Sequence, residues 1–293
     1  MSSLLIFGLG YSSQAVVRAN GRRYQPIVAT VRSPDRAQAL TDAGVEGSRV
    51  TVLPFDGSAP SKTLSDAIAA SSFILVSVPP GDTADPVLTA CGDLLAQAKP
   101  QSLVYLSTVG VYGDHAGAWV DETTECRPVS ARSHARLSAE RAWQDWGARA
   151  SVPTAILRLA GIYGPGQNAI EQVRAGTARR IIKEGQVFNR IHVDDIAAAV
   201  LAAFAKSFDG IVNVTDDEPS PPQDVIAYAA EILGVPPPPE VPFEAANLSA
   251  MGRSFYSEVK RVRNDRLKLK LGVNLSYPNF RDALQALAAG TRS

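Results

Sequence analysis

The stretch LLIFGLGYSS carries the first residues whose types and spacing could do chemistry. Gly8 and Gly10, followed by Tyr11, Ser12 and Ser13, form a GxGxxS pattern at the end of an apolar run, the setting in which a dinucleotide pyrophosphate meets the start of a helix. The first glycine permits a tight turn, and the second lets the phosphates approach the backbone at the helix N-terminus. Ser13 stands where the fingerprint has a third glycine; its small side chain still lets helix pack on strand. Beyond the next apolar run, ATVRSPDR puts Arg32, Ser33 and Arg36 where a carboxylate would hold the ribose 2′-hydroxyl of NAD. Two guanidinium groups and a hydroxyl suit a 2′-phosphate, which arginine grips with a planar fork, so NADP is expected in preference to NAD. The other reading, arginines solvated at a helix start beside Asp35, stays open.

The elements that must position these residues are legible as short apolar runs alternating with helical patterns. Strands are expected at 4–7, 26–31, 49–55, 73–78, 102–107 and 154–160, and helices at 12–20, 34–43, 60–70, 83–97 and 129–149. Strand alternating with helix implies an α/β fold, a Rossmann-type doubly wound parallel sheet. After Gly161 the alternation stops, resumes with a helix at 192–207 and a strand at 210–215, and gives way to a segment holding the stiff connector VPPPPE and a final helix at 279–290. The expected organisation is a nucleotide domain of 1–161 plus 190–214 and a smaller, discontinuous C-terminal substrate domain of 162–189 plus 215–293.

Composition narrows the partners. Among 293 residues, 29 Lys and Arg balance 29 Asp and Glu, so no global field favours nucleic acid or a membrane surface, and any anion site must be local. Two cysteines and three histidines show no metal-ligand spacing and no disulfide framework, so no metal is expected. The apolar run at the start reads as a buried strand, not a signal peptide, and nothing approaches membrane-spanning length. The default is a cytoplasmic enzyme or ligand-binding protein working on a small molecule.

With PFDGS after the third strand, YLSTVGVYGD after the fifth, LRLAGIYGPG after the sixth and RIHVDDIA further on, the chain resembles the extended short-chain dehydrogenases/reductases. More narrowly it resembles their atypical, NAD-dependent epimerase/dehydratase-like members, along nearly its whole length. The resemblance implies that Asp56 and Gly57 face the adenine and that Ser77, Val78 and Pro79 line the cofactor. It places the backbone around Leu159 and Gly161 at the nicotinamide. It implies a catalytic hydroxyl at Thr108, four residues before Tyr112, with Ser107 beside it at the cofactor, and it makes Tyr112 a packing residue. It also implies a homodimer through the helices at 83–97 and 129–149, the second of which carries Leu137, Trp143 and Trp146; the other reading, tryptophans that cover the sheet within one chain, stays open.

One expected feature is missing. The family's Tyr-x-x-x-Lys precedes xxAE, and alignment on Glu140 sets Arg132 and Arg136 in its place. The spacing keeps both on one helical face. Tyrosine can give and take a proton, whereas arginine stays protonated and accepts nothing, so Arg132 cannot replace the tyrosine. His134, roughly 200° around the helix, points off that face. Two readings stand side by side: an anion clamp, with Arg136 at the nicotinamide ribose and Arg132 on a substrate carboxylate or phosphate, or a solvated basic surface. A substitute acid could come from Tyr163, or from Tyr256 with Lys260 four residues on. The functional expectation is an NADP-binding oxidoreductase or epimerase/dehydratase-like enzyme for a polar, anionic small molecule of the nucleotide-sugar or sugar-acid class. Its alternative is a catalytically silent NADP-binding sensor or scaffold.

Overall fold

Apolar runs become strands, and the stretches between them helices, in a computed structural model that describes residues 2–290. Along the chain, β1 (Leu4–Phe7) leads to α1 (Tyr11–Asn20), β2 (Ile27–Val31) to α2 (Pro34–Ala43), β3 (Val50–Pro54) to α3 (Lys62–Ala70) and β4 (Phe73–Val76) to α4 (Pro86–Ala98). After β5 (Ser102–Thr108) come a 3-10 turn at Val109–Tyr112, the short β6 (Trp119–Val120), α5 (Ala131–Ala150) and β7 (Thr154–Leu159). Then follow β8 (Gly161–Tyr163), α6 (Ala169–Arg174), β9 (Arg180–Ile182), β10 (Arg190–His192), α7 (Val193–Ala205) and β11 (Gly210–Val214). The chain closes with α8 (Pro222–Leu233), β12 (Glu240–Pro242), α9 (Ala250–Phe255), β13 (Arg261–Val262), α10 (Asp265–Leu269) and α11 (Phe280–Gly290).

Seven strands form one parallel sheet in the order β11-β7-β5-β4-β1-β2-β3. This is the expected doubly wound α/β sheet. Its strand order reverses between β1 and β4, the place where such folds open a crevice for a ligand. Alternate residues of β1 serve opposite faces: Leu4 and Ile6 pack with α1 and α7, Leu5 and Phe7 with α3, α4 and α5. That is why the run must be apolar throughout. Each large side chain fully buried in these layers stabilises by about 1.5–3 kcal/mol.

Helix starts follow local chemistry. Ser33, Ser61, Asp85 and Ser130 cap α2, α3, α4 and α5 with a side-chain oxygen that accepts from a first-turn N–H, whereas α1 begins at Gly10 with no side-chain cap. A second cluster joins α6, α8 and α11, and a third gathers Ile181, Ala246 and Tyr256. Residues 261–275 were expected with the smaller domain, yet Val262, Leu267, Leu271 and Val273 pack into the sheet core, and β13 pairs with β6. The expected end of that domain at 291–293 lies outside the described residues. Among the described residues, no helix is long and apolar enough to cross a membrane.

Trp143 and Trp146 were open to two readings, at a subunit interface or as cover for the sheet within one chain. Both are buried against the sheet, and Trp146 Nε1 donates to Gly92 O at 2.9 Å. Their bulk is used inside the chain, and they are not exposed for a partner.

Candidate functional site

The turn after β1 is fixed by backbone demands. Gly8 has φ of +91°, and a Cβ there would stand 3.0 Å from both Ser77 Oγ and Val78 Cγ2. Gly8 N donates to Thr30 Oγ1 at 3.1 Å, and Ser77 Oγ donates to Gly8 O at 2.6 Å. Ser77 has thereby spent its hydrogen, so the 2.9 Å contact between Ser13 and Ser77 is a bond donated by Ser13. Ser13, the residue in place of the third glycine, thus ties α1 to the end of β4. Gly10 differs: a Cβ there would meet nothing of the protein within 4 Å. Its bareness leaves the uncapped start of α1 open to an anion, which matches what a pyrophosphate requires.

At the end of β2, Arg32, Ser33 and Arg36 are exposed, and Ser33 Oγ accepts from Arg36 N as the cap of α2. Among the described residues, neither arginine forms an ion pair with a carboxylate. Asp56 is exposed, its carboxyl held below the usual range by the hydroxyl and N–H of Ser58. Gly57 has φ of +98°, and a Cβ would come 3.0 Å from Pro86 at the start of α4. Val78 is half-buried, Pro79 exposed and Leu159 buried. Gly161 is exposed and gives its N–H to Asn189 O at 3.0 Å. Across the crevice, Tyr11 Oη donates to Pro165 O at 2.9 Å, and Arg18 pairs with Asp194 at 2.7 Å, so α1 is bound to the GPG loop and to α7.

The other side of the crevice is made of side chains. Thr108 ends β5, half-buried, and its Oγ1 accepts from Gly110 N at 3.1 Å, which leaves its own hydrogen to be donated. Ser107 turns the opposite way and donates to Glu140 of α5. Glu140 is also gripped by Arg158 of β7, through Nη2 at 2.7 Å and Nε at 3.1 and 3.2 Å. Side-chain exposures of 4% and 1% put this ion pair in the interior. The Arg158 guanidinium lies 4.8 Å from the centre of the Tyr112 ring, whose hydroxyl donates to Asn213 at 2.8 Å. Tyr112 is a packing residue in this geometry, its phenol pushed up to about 12 by burial.

On α5, Arg132 is exposed. Arg136, half-buried one turn on, donates through Nη1 to Tyr105 Oη at 2.8 Å and Leu106 O at 3.0 Å. The two arginines share a face, but one is drawn down onto β5 and the other stays at the surface. His134 is exposed. Neither substitute acid is presented: Tyr163 is buried with its hydroxyl unpartnered, and Tyr256 sits in an aromatic cluster with Phe188 and Phe243 at 5.2 and 5.1 Å. Lys260 is likewise buried, with Nζ 2.8 Å from Gly113 O and 2.6 Å from Glu258.

Sequence reading missed the Ser107–Glu140–Arg158 network and the Tyr105–Arg136 bond. A signal for the first existed: Arg158 interrupts the apolar strand TAILRLA, and a charge buried in a strand needs a partner. Two cavities, of about 240 and 200 Å³, are lined by no residue of the Gly8–Ser13 turn and not by Thr108, so the crevice is defined here by backbone geometry. Among the described residues, no group of three or more His, Cys, Asp or Glu is placed to hold a metal.

Comparison with known proteins agrees with this picture. Residues 83–215 match the NAD dependent epimerase/dehydratase family. A solved structure of a functionally unknown conserved protein from Silicibacter pomeroyi is 46% identical, with all of both chains covered and a TM-score of 0.88. A 3-diazoavenalumate denitrifying reductase from a Streptomyces species is 34% identical over 140 residues, which span 44% of this chain and 45% of the reductase. UDP-glucuronic acid 4-epimerase from Bacillus cereus, solved with NAD, shares the fold at 18% identity and a TM-score of 0.75, over 99% of this chain and 98% of its own.

Proposed function

We propose that the chain, whose residues 83–215 match the NAD dependent epimerase/dehydratase family, is an extended short-chain dehydrogenase/reductase of the epimerase/dehydratase-like type that binds NADP and acts on a polar, anionic small molecule of the nucleotide-sugar or sugar-acid class. The observation that carries this reading is the contrast at α1: a glycine turn that excludes a Cβ at Gly8, a bare Gly10 and a helix start left without a cap. Arg32 and Arg36, exposed at the end of β2, support the 2′-phosphate form. The bound dinucleotide supplies a hydride donor and acceptor.

In this reading Gly8, Gly10, Tyr11, Ser12 and Ser13 hold the pyrophosphate, Asp56 and Gly57 flank the adenine, and Ser77, Val78, Pro79, Leu159 and Gly161 bound the slot. Thr108 gives its free hydroxyl hydrogen to the reacting substrate oxygen. Arg132, exposed at the mouth, holds the substrate's anion. Arg136 keeps a positive charge beneath β5. Ser107 acts at one remove, through Glu140. A homodimer built on the outward faces of α4 and α5 belongs to the same reading, and light scattering that finds a monomer at micromolar concentration counts against it.

A second reading is favoured by one observation. Arg132 cannot accept a proton, and the tyrosines offered in its stead are buried, so a cofactor-binding sensor with no turnover is the alternative. The two are separated by incubating the protein with NADP and UDP-glucuronic acid. Absorbance or isotope exchange at the sugar ring supports the enzyme; tight NADPH binding with no exchange for any nucleotide-sugar or sugar acid supports the sensor. Failure to bind either dinucleotide overturns both.

A further inference from the structure

Tyr11 belongs to both sides of the crevice. It opens α1, so its backbone N–H lies in the turn that meets the dinucleotide in the reading above, while its phenol crosses to the GPG loop and donates to Pro165 O at 2.9 Å. The approach is close enough to dictate the residue opposite: a Cβ on Gly164 would stand 2.6 Å from Tyr11 Oη and 2.8 Å from Val193 Cγ1. Burial and the neighbouring Asp194 push the phenol's pKa up, with Arg18 opposing, so Oη keeps its hydrogen for Pro165 at neutral pH.

The loop that receives this bond is built as one piece with α6. Gly164 and Gln167 exchange two backbone bonds, N to O at 3.0 and 3.1 Å, which close the turn. The buried Asn168 then donates to Gly164 O at 2.8 Å and accepts from Glu171 N at 3.1 Å as the cap of α6. Ala169 and Ile170 of α6 are buried in the cluster with α8 and α11. A displacement of Pro165 is therefore passed on to α6.

The other end of the link is a helix start that is weak by itself. α1 has no side-chain cap and no acidic residue in its first turn. The N–H groups of Tyr11, Ser12 and Ser13 have no acceptor within the helix, and such a turn frays readily. An anion on those N–H groups orders it. The Tyr11 phenol reaches Pro165 O from the ordered turn, so a ligand that orders the turn also favours the loop contact. We propose, on the dinucleotide reading given above, that Tyr11 is a positioning residue that couples occupancy of the dinucleotide site to the placement of residues 164–170 across the crevice. One hydrogen bond carries the coupling, which bounds it at about two- to tenfold, and by linkage the effect on cofactor affinity equals the effect on the loop.

Hydrogen exchange of the full chain, read over 167–173, tests the coupling, with NADPH affinity measured by calorimetry on the same samples. Saturating NADPH should slow exchange there by about two- to tenfold. Tyr11→Phe keeps the ring and removes only the hydroxyl: NADPH should no longer slow exchange in 167–173, and its dissociation constant should rise by the factor lost from the loop. Gly164→Ala presses on Oη from the opposite side and should also remove the response, and adding Tyr11→Phe to it should weaken NADPH no further. Arg18→Met breaks the other tie from α1, the 2.7 Å bond to Asp194 in its last turn, and should leave the loop response in place. A cofactor that shields the loop by direct contact would slow exchange equally in the native chain and in Tyr11→Phe, which overturns the proposal. Calorimetric binding of NADPH to the native chain with no slowing of 167–173 overturns it too. No binding of NADPH at all overturns the dinucleotide reading and the coupling with it, and calorimetry tells that outcome from the other two.

Discussion

At the β1 side of the crevice the chain presents backbone, while at the β5 side it presents side chains already bonded to one another. Gly8 and Gly10 matter for what they lack, and the groups around them, Thr30, Ser13 and Ser77, serve to hold the turn in shape. Ser107, Glu140, Arg158, Tyr105 and Arg136 matter for their functional ends, and each makes at least one bond within the protein, although Arg158 Nη1 is left without a partner. A backbone site of the first kind tolerates change in its neighbours as long as the turn survives. A networked site of the second kind fails as a unit when one member is removed.

The largest effect expected from this contrast lies in the network. Arg158→Met would leave Glu140 charged and unpaired in the interior, and should lower the unfolding free energy by about 3–5 kcal/mol in urea denaturation. Arg158→Met combined with Glu140→Leu should recover most of that loss, because no buried charge then remains. A single-variant cost below about 1 kcal/mol would show that the ion pair does not hold this side together.

Next in size is the pair of glycines. Gly8→Ala puts a Cβ into a left-handed turn and against Ser77 and Val78, so it should cost about 1–3 kcal/mol of stability and at least about tenfold in NADPH affinity. Gly10→Ala meets no protein atom, so stability should change by less than about 0.5 kcal/mol while affinity still falls. If both variants lose stability equally, the distinction drawn between a turn glycine and an approach glycine is wrong. Denaturation and equilibrium binding on the same samples decide it.

This difference also sets what could be read in advance. The turn after β1 was legible because its requirements are local: a glycine with positive φ, a small residue at Ser13 and a strand before a helix all lie within one short run. The sheet was legible for the same reason, from runs apolar on both faces. The packing of residues 261–275 was not legible, because VKRVRND gives no sign that Val262 will reach the sheet core; that depends on pairing with β6, far away in sequence. The tryptophans stayed open to two readings because the sequence of α5 shows which residues are apolar and not whether the sheet or a second copy covers them. Arg136 was legible as a charge at the right spacing, but its destination was not: it depends on a phenol and a carbonyl of β5 being closer than solvent.

A smaller effect is expected at the ribose. Arg32→Glu should weaken NADPH by about tenfold or more and leave NADH unchanged or improved, since a carboxylate repels a 2′-phosphate and accepts from a 2′-hydroxyl. Equal affinity of the native chain for the two dinucleotides would remove the basis for the assignment. Stability should be untouched in either case, because Arg32 is exposed.

The smallest effect on the fold, and the most informative on chemistry, is expected at Arg132. It is exposed on the first turn of α5, so Arg132→Ala should change stability by less than about 0.5 kcal/mol. If it clamps a substrate anion, the same variant should weaken that ligand by about tenfold, and Arg132→Lys should recover only part, because a point charge lacks the guanidinium fork. Arginine holds its charge throughout the accessible pH range, so turnover should show no acid limb from this residue. Arg132→Tyr is the sharper probe: it returns a phenol one turn before Arg136. Arg136, however, is bonded to Tyr105 and Leu106, so it can lower the new phenol's pKa only if it leaves them. Gain of carbonyl reduction with NADPH would therefore mean that Arg136 is mobile and that the native chain is a cofactor-competent frame with its acid removed. No gain, with NADPH binding intact, would mean that the β5 side holds Arg136 too firmly for one substitution to rebuild the pair. If Arg132→Ala leaves both ligand binding and turnover unchanged, the clamp is wrong and this face of α5 is a solvated basic surface.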